Sequence, residues 1–400
     1  MKSLRNLYKI GHGPSSSHTM GPAKACKIML DSFPDALSFK VTLYGSLALT
    51  GKGHLTDKVI ESTFAPKKVK IVFDYLTYCS YHSNTLDIIA VMPDGSEKME
   101  RFYSIGGGSL EVKGGKNYLE EDIYKENNFK QIKEYCNKRK INLVDYVVEN
   151  EGSEIYEYIK EIYDQMENTI EEGLKKDGLL PGKLGVKRKA KKILETPLSD
   201  QNMEYIRKVY AYAYATSEEN ASGGIVVTAP TCGSSGLIPS LLFAAKDQYG
   251  FSKERLMDAL LVASIFGNVV KQNASISGAE AGCQAEVGSA CSMAAAFLAF
   301  INHSDIDMIQ RAAEIALEHH LGLTCDPVMG YVQIPCIERN ALAALRATDA
   351  YLLASELVSK EAKISFDLIC KTMLKTGKDL SSIYRETSEG GLALDYGKDR

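Results

Sequence analysis

Residues 321–340, LGLTCDPVMGYVQIPCIERN, decide how the chain is interpreted, because they hold two cysteines, Cys325 and Cys336, in a segment without a regular pattern. Three turn signals predict a loop here rather than a helix or a strand: Asp326-Pro327, Met329-Gly330 and Ile334-Pro335. Helical patterns precede this loop at 305–320 and follow it at 338–359. Thiolates bind soft metals, and a loop braced by two helices can hold them in place. The alternative is that both cysteines only pack, because free cysteine is among the most buried residue types.

The length and charge of the chain exclude several classes of protein. With 400 residues, two domains are expected, and a change from mixed to helical patterns places their boundary near residue 150. The net charge of -4 provides no basic footprint, so we expect no nucleic-acid partner. The sequence contains no run of about 20 apolar residues, so we expect no membrane partner.

The nine cysteines point to a reducing compartment. An odd number of cysteines scattered over a long chain does not resemble a disulfide framework. Residues 1–13, MKSLRNLYKIGHG, lack the apolar core of an export signal. We therefore expect a cytoplasmic protein whose thiols are free or bound to metal.

The first unusual motif is GHGPSSSHTMGP at residues 11–22. Glycine and proline exclude regular structure up to Ser15, and Ser16, Ser17 and His18 then lead into a predicted helix at 23–30. Hydroxyl groups at a helix N-terminus suit an anion such as a carboxylate, because free N–H groups and the helix dipole point there. The alternative is an ordinary serine-rich cap. His18 adds a group that can carry a proton near neutral pH.

Alternating patterns then predict an α/β first half. Strands are expected at 39–44, 69–73, 85–92 and 97–104, with a short helix at 46–49. His54 and His82 lie on predicted loops, where a lone histidine is usually a solvated surface residue. Three histidines in one half, counting His18, favour a shared site for some of them.

After about residue 143 nearly every pattern is helical. Helices are predicted at 153–176, 200–216, 237–246, 253–272 and 283–301. The stretch 256–270 is apolar nearly all round, which predicts a central buried helix. The basic segment 178–192, GLLPGKLGVKRKAKK, is either an anion-binding patch or, as is more common for a short charge run, a solvated linker.

Two loops in the helical half are too rich in small residues to be simple connectors. TAPTCGSSGLIP at 228–239 contains Thr231 and Cys232 and is held open by glycine and proline. SISGAEAGCQAEVG at 275–288 places Cys283 at or near the start of a helix, whose N-terminus is expected to lower the pKa of the thiol. Cys291, two turns further along, is expected to be a packing residue.

Taken together, these blocks resemble one family. Four of them look like the small domain of bacterial iron–sulfur L-serine dehydratases: GPSSSHTMGP (13–22), GSLALTGKGHLTD (45–57), HSNT (82–85) and SIGGG (104–108). Three more look like the catalytic domain of the same enzymes: VTAPTCGSSGLIP (227–239), GCQAEVGSACSMAA (282–295) and GLTCDPVMGYVQIPCIERN (322–340). The blocks, ending with ETSEGGLA at 386–393, follow in order over nearly the whole chain. This arrangement resembles the single-chain form of the family.

The resemblance implies an α+β multidomain protein. Residues 1–150 would form the small domain, an α/β sandwich similar to a serine-binding regulatory domain of some dehydrogenases. Residues 151–400 would form an all-α catalytic domain that carries the cofactor. In the family the substrate lies between the two domains, and the resemblance implies a homodimer.

The resemblance also implies a cofactor that the cysteine spacing does not reveal. The three cysteines are 42 and then 11 residues apart, which fits no familiar CxxC metal pattern. In the family, the cysteines of the GCQ, GLTCDP and QIPC motifs bind a [4Fe-4S] cluster, and the matching residues here are Cys283, Cys325 and Cys336. Three ligands for four irons leave one iron open, and this iron acts as a Lewis acid on the hydroxyl of L-serine.

The implied reaction removes the α-proton and the hydroxyl group of L-serine and yields pyruvate and ammonia through 2-aminoacrylate. His54 is the first candidate for the base that takes the α-proton, and His18 is the second. The resemblance and the motifs give the following residues for substrate binding: Ser15, Ser16, Ser17, His82, Asn84 and Thr231.

Two positions depart from the family pattern. Some single-chain relatives end in a cysteine that caps the open iron, whereas this sequence ends in DYGKDR, so we expect water or another group there, or no such control. Cys232 stands where many relatives have asparagine, and it is either a polar contact to the substrate or a thiol near the cluster. The remaining cysteines are expected to be structural or incidental: Cys26, Cys79, Cys136 and Cys370.

Three alternatives stay open. The first is a related cluster-dependent lyase that acts on threonine, cysteine or another β-substituted amino acid. The second is a serine-binding regulator or cluster-bearing sensor without turnover. The third is a pyridoxal-phosphate dehydratase, for which the sequence contains no convincing lysine-centred site with a phosphate loop.

Overall fold

The structure, a computed structural model, describes residues 1–112, 122–356, 362–396 and 398. The first half of the chain contains short helices and most of the strands. In chain order they are β1 (Ile10–His12), α1 (Gly21–Ser32), β2 (Ser38–Tyr44), α2 (Gly45–Thr50), α3 (Thr56–Phe64), β3 (Lys68–Asp74), β4 (Thr85–Val91), β5 (Glu97–Ser104) and β6 (Leu110–Val112).

Five of these strands form one sheet in the order β3-β2-β4-β5-β6. β2 runs parallel to β3, and the other neighbouring pairs are antiparallel. Alternate residues of β2, Phe39, Val41 and Leu43, are buried, as the period of two requires. The four strands predicted from alternation are therefore confirmed.

The second half is helical, as predicted, apart from one short strand. Its elements are α4 (Phe129–Arg139), α5 (Leu143–Glu151), α6 (Ile155–Lys175), α7 (Ala190–Glu195), α8 (Glu204–Ala221), β7 (Ile225–Val227), α9 (Leu237–Tyr249), α10 (Lys253–Asn273), α11 (Gly278–Ala281), α12 (Ser289–Ile301), α13 (Ile306–Glu318), α14 (Cys336–Glu356), α15 (Phe366–Asp379) and α16 (Gly391–Asp395). A single turn of π-helix, Gln284–Gly288, leads into α12. The end of the helix predicted at 338–359 lies outside the described residues.

The exception to the all-α expectation is β7, which pairs antiparallel with β1 in a two-stranded ribbon. Each strand has three residues, too few for the alternation that sequence patterns detect. The ribbon joins the N-terminal segment to the helical half, so the two halves are linked before the five-stranded sheet begins.

Two large hydrophobic cores and one small cluster, of Leu180, Ala221 and Ile337, lie beneath the described elements. One is built from residues between Ala25 and Leu110, under the five-stranded sheet. The larger one combines the first residues of the chain, such as Leu4 and Tyr8, with the helices that follow residue 124. α10 is buried along 259–270, which confirms the predicted central helix. The domain boundary near residue 150 stays a prediction.

The loop predicted within residues 321–340 is shorter than expected. Cys325 lies in irregular backbone, but Cys336 is the first residue of α14 and not part of the loop. The preceding proline explains the difference, because its fixed φ angle suits the residue at a helix start. The helix predicted before the loop is confirmed as α13.

Within the described residues, one helical stretch, Gln284–Ile301, is apolar and long enough to cross a membrane on composition alone. Because 89% of this stretch is buried inside the protein, it is most simply a core helix.

Candidate active site

Side chains from both halves of the chain meet at a small cavity. The first half contributes Ser15 and His54 to its lining. The second half contributes three cysteines and two glutamates: Cys283, Cys325, Cys336, Glu286 and Glu386. Residues that are more than 300 positions apart in sequence therefore face one small space.

The three thiols line this cavity together. The sulfurs of Cys283 and Cys325 and a carboxylate oxygen of Glu286 all lie within 4.8 Å of one another. Cys283 precedes the π-helical turn, and Cys336 begins α14 on the same cavity. A carbon at the α11 position Gly278 would lie 3.2 Å from the sulfur of Cys325, so only glycine leaves room there. Soft sulfur ligands grouped in this way suit a soft metal.

One positive side chain faces the thiols. The Arg339 guanidinium donates to the carbonyl of Thr324 at 2.6 Å and lies 3.3 Å from Asp326. The pKa of Cys283 is lowered, first by a hydrogen bond from the Cys325 thiol and then by Arg339. The direction matches the sequence prediction, but the cause is the neighbouring side chains and not the helix N-terminus.

The other two thiols are shifted the opposite way. The hydrogen bond to Cys283 and burial raise the pKa of Cys325, and burial and the Cys283 thiolate raise the pKa of Cys336. Of the three thiols, Cys283 is therefore the one that its surroundings favour as a thiolate. A metal or cluster would provide positive charge that favours the thiolate form of the other two as well.

His18 and His54 stack with their ring centres 4.4 Å apart. The Nδ1 of His54 lies 2.9 Å from the carbonyl of Thr50, which can only accept, so this nitrogen carries a proton. The Nε2 of His54 lies 3.4 Å from a carboxylate oxygen of Glu386, next to the cavity. His54 is thus oriented with Nε2 toward the site.

His18 is held at both ring nitrogens. Its Nε2 lies 2.9 Å from the hydroxyl of Ser46, which itself donates to the carbonyl of Glu386, so His18 Nε2 is the donor. Its Nδ1 lies 3.0 Å from the Ser17 hydroxyl. Burial lowers the pKa of His18 to about 4, so the ring is neutral at pH 7. His18 is therefore less suited than His54 to take a proton from a ligand.

Glu386 is a site residue that the sequence reasoning missed. Burial alone would raise its pKa, but His18 and His54 lower it, so it is a carboxylate. Its Oε1 faces both histidines, and its buried Oε2 has no hydrogen-bond partner in the described part of the chain. Its backbone N–H donates to the carbonyl of Cys325 at 2.8 Å, which ties it to the thiol group. Its φ of 59° is left-handed, which is uncommon for a non-glycine residue.

Glu286 is the second missed residue. The Thr231 hydroxyl donates to its Oε1 at 2.7 Å. Burial, followed by the charges of Glu386 and Cys283, raises its pKa well above the usual range. Both glutamates lie in blocks that resemble the family, Glu286 in GCQAEVG and Glu386 in ETSEGGLA, but their role becomes evident only through neighbours that are distant in sequence.

The serine motif serves its own helix as well as the cavity. Ser15 lines the cavity and also accepts the His18 backbone N–H at 3.1 Å, as an N-cap does. Ser16 and Ser17 are buried beside it but are not among the described residues that line the cavity. The cap interpretation and the site interpretation therefore both apply to Ser15.

His82 and Asn84 lie away from the cavity lining and bond to each other. The Nδ1 of His82 accepts the backbone N–H of Asn84 at 3.0 Å, and Asn84 donates to the carbonyl of Ser104 at 3.4 Å. These contacts shape the turn that enters β4. A direct role in substrate binding stays a prediction for both.

The other cysteines are not among the described residues that line the cavity, and the role of Cys232 stays open. The Cys232 sulfur lies 3.5 Å from the Met20 sulfur, and the Cys291 thiol reaches the carbonyl of Ala343 at 3.2 Å. Three more are buried, and one is partly exposed: Cys26, Cys136, Cys370 and Cys79.

Known proteins resemble this chain over almost its whole length. It matches the family model of the serine dehydratase alpha chain over residues 84–393 and that of the beta chain over residues 3–64. It is 39% identical to the L-serine dehydratase of Haemophilus influenzae, over 98% of this chain and 99% of that protein. L-serine dehydratase 2 of Escherichia coli is equally similar, with the same coverage. The L-serine dehydratase of Helicobacter pylori is 39% identical over 98% of each chain.

Proposed function

This chain belongs to the serine dehydratase family, and we infer from the family and the site together that it is an L-serine ammonia-lyase. The reaction converts L-serine into pyruvate and ammonia. The observation that carries this inference is the single cavity that joins three cysteines to His54. Dehydration of serine needs both a group that withdraws the hydroxyl and a base for the α-proton, and the cavity offers candidates for each.

We propose that Cys283, Cys325 and Cys336 hold a [4Fe-4S] cluster. The donor set fits this cofactor, because three sulfurs face one cavity beside a cationic Arg339 and a glycine that leaves space. When bound, the cluster supplies an iron with an open position that acts as a Lewis acid on the substrate hydroxyl.

Side chains of the protein remove the α-proton. His54 Nε2 takes this proton, while its Nδ1–H stays bonded to the carbonyl of Thr50. The Glu386 carboxylate, 3.4 Å from Nε2, stabilises the imidazolium that forms. The C–H electron pair forms the double bond as the C–O bond breaks and the hydroxyl leaves as hydroxide. The proton that His54 removed neutralises this hydroxide to water, which returns His54 to its neutral form. The product, 2-aminoacrylate, tautomerises to an imine and hydrolyses to pyruvate and ammonia.

His18 is a positioning residue in this scheme. Through Ser46 it supports the backbone carbonyl of Glu386, and its ring stacks on His54. Substrate contacts are proposed for the hydroxyl residues Ser15, Ser16, Ser17 and Thr231, and for His82 and Asn84. Ser15 has the strongest support, because it lines the cavity.

Larger-scale features are also proposals. We infer that the β-rich first half corresponds to the serine-binding regulatory domain that the sequence resembles, with a boundary near residue 150. We also propose a homodimer in the cytoplasm. The free cysteines are compatible with a reducing compartment such as the cytoplasm.

The function is tested by the substrate preference of anaerobically purified protein. L-Serine should release pyruvate much faster than L-threonine releases 2-oxobutyrate. A reversed ranking would identify a related lyase with a different substrate. Saturable binding of serine without any keto acid would identify a regulator.

A further inference from the structure

Among the described residues, Glu286 differs from the other carboxylates around the site in forming no ion pair with a histidine or a cationic side chain. Glu386 faces two histidines, and Asp326 lies 3.3 Å from Arg339. Among the residues that the structure describes, no lysine, arginine or histidine forms an ion pair with Glu286. A carboxylate in such surroundings costs free energy unless a cation reaches it.

The carboxylate of Glu286 is directed at the cavity that would receive the substrate. It lines the cavity, and the residue is partly buried. The Thr231 hydroxyl fixes Oε1 at 2.7 Å. On the other side, a carbon at Gly278 would lie 2.5 Å from Oε2, so any larger residue there would displace this oxygen from its present position. The Glu286 carboxylate is therefore held in one orientation, but no positive side chain among the described residues pairs with it.

L-Serine brings one positive group, its α-ammonium. Of the two glutamates in the cavity lining, Glu386 has its Oε1 beside His18 and His54, although its Oε2 has no hydrogen-bond partner among the described residues, whereas Glu286 forms no ion pair with a histidine there. We propose that Glu286 binds the α-ammonium of the substrate, oriented by Thr231, and that it makes the site select amino acids over 2-hydroxy acids. This inference rests on the proposed function, and it adds the group that recognises the amine.

The selectivity follows from charge. A 2-hydroxy acid such as L-glycerate has the carboxylate and the 3-hydroxyl of serine but no ammonium, so it would bring only negative charge next to Glu286. A hydrogen bond between charged groups contributes enough that its removal changes affinity by roughly 10-fold to 100-fold. Replacing Glu286 with glutamine should therefore weaken serine binding and leave glycerate binding unchanged or improved.

The experiment compares wild-type holoenzyme with Glu286→Gln and with Glu389→Gln, which removes an exposed carboxylate outside the site. For each protein, the KM and kcat for L-serine and the inhibition constant of L-glycerate are measured anaerobically. In Glu286→Gln, KM should rise at least about 10-fold while the glycerate constant does not rise. Glu389→Gln should match wild type in all three constants.

Thr231 gives a second, independent variant. Thr231→Val removes the hydroxyl that orients Glu286, so it should raise the KM for serine by a smaller factor with no rise in the glycerate constant. Thr231→Ser retains the hydroxyl and should restore the wild-type KM. If Glu286→Gln does not fold, the comparison of Thr231→Val with Thr231→Ser tests the role of Glu286 instead.

Three results would overturn the proposal. An equal rise for serine and glycerate would mean that Glu286 only supports the shape of the site. An unchanged KM would mean that it does not contact the amine. A change in the visible or electron paramagnetic resonance spectrum of substrate-free Glu286→Gln would place the carboxylate on the cluster instead.

A failure of the proposed function gives a different result. Wild-type protein that releases no pyruvate would contradict the enzyme assignment itself. Calorimetric binding of L-serine to wild type and Glu286→Gln would then still decide the role of Glu286, with at least about 10-fold weaker binding expected in the variant.

Discussion

At the residue scale, the two stacked histidines are distinguished by what holds each ring nitrogen. His54 uses one nitrogen to bond Thr50 and faces Glu386 with the other, whereas His18 is bonded at both. The sequence ranked His54 first because of its motif, and the hydrogen bonds give a physical reason for that order. The same contacts make Glu386 the partner that keeps a protonated His54 stable.

His54 and Glu386 should act as one unit. His54→Ala should lower kcat by about 10²-fold to 10⁴-fold, the range typical of a general base. Glu386→Gln should lower kcat in the same direction, and the double variant should be no slower than His54→Ala alone, because coupled residues are not additive. Anaerobic kinetics would measure this, and the visible absorbance of each variant would show that the cluster is retained. Full activity in His54→Ala with loss in His18→Ala would reverse the assignment.

The neutral state of His18 predicts a pH dependence of stability. Burial lowers its pKa to about 4 from 6.5, so between these values the unfolded chain binds a proton that the folded chain does not. Its contribution to the free energy of unfolding is complete above pH 6.5 and is lost as the pH falls toward 4, by at most about 3 kcal/mol.

Urea unfolding of iron-free wild type and His18→Gln at several pH values between 7 and 4 would measure this difference. Wild type should lose more stability than the variant across the window. Parallel curves for the two proteins would show that His18 does not carry the effect.

At the element scale, elements with a long sequence pattern were predicted correctly, whereas the shortest strands were missed. β2 alternates over seven residues and α10 is apolar nearly all round over a long stretch, and both were predicted correctly. β1 and β7 have three residues each and form only because they pair with each other. The start of α14 at Cys336 was missed, since the proline before it was interpreted as a break and not as a first-turn residue.

The close approach of α11 to the thiols gives a prediction about an element. Gly278→Ala would place a carbon 2.5 Å from Glu286 and 3.2 Å from the Cys325 sulfur, so this part of the cavity must shift. We expect a lower iron content per chain and lower activity, with the helical circular dichroism spectrum retained.

Gly185→Ala is the matched control, because a carbon there meets nothing within 4 Å and costs only the strain of its φ of 66°. It should keep the wild-type iron content. A normal iron content in Gly278→Ala would show that the close approach is not needed for the cofactor.

At the scale of the whole molecule, the site could be predicted only in part. The cysteines and histidines came from motifs that resemble a family, since no local spacing connects Cys283 with His54. Arg339, Glu286 and Glu386 were missed because a single charged residue has no meaning until its distant partners are known. The change from strands to helices, by contrast, was evident from periodicity alone, whereas the domain boundary near residue 150 stays a prediction.

The N-terminal segment links the two halves of the chain, so we expect its buried side chains to contribute strongly to the free energy of unfolding. Tyr8 is fully buried in the larger core, and its hydroxyl donates to the carbonyl of Leu260 at 3.1 Å. Tyr8→Ala should lower the free energy of unfolding by about 3–5 kcal/mol, as other large-to-small core changes do. Tyr78→Ala, at a side chain that is 87% exposed, should change it by less than about 0.5 kcal/mol. Urea unfolding measures both, and a cost below about 1 kcal/mol for Tyr8→Ala would contradict this role.

The central claim is that three cysteines of one cavity hold a cluster on which serine dehydration depends. The most direct test is to purify the protein without oxygen, count iron and sulfide per chain, and assay pyruvate from L-serine before and after exposure to air. We expect about four irons and four sulfides, with activity lost in step with the cluster. Activity that survives the removal of iron would mean that the cysteines are structural and that the chemistry lies elsewhere.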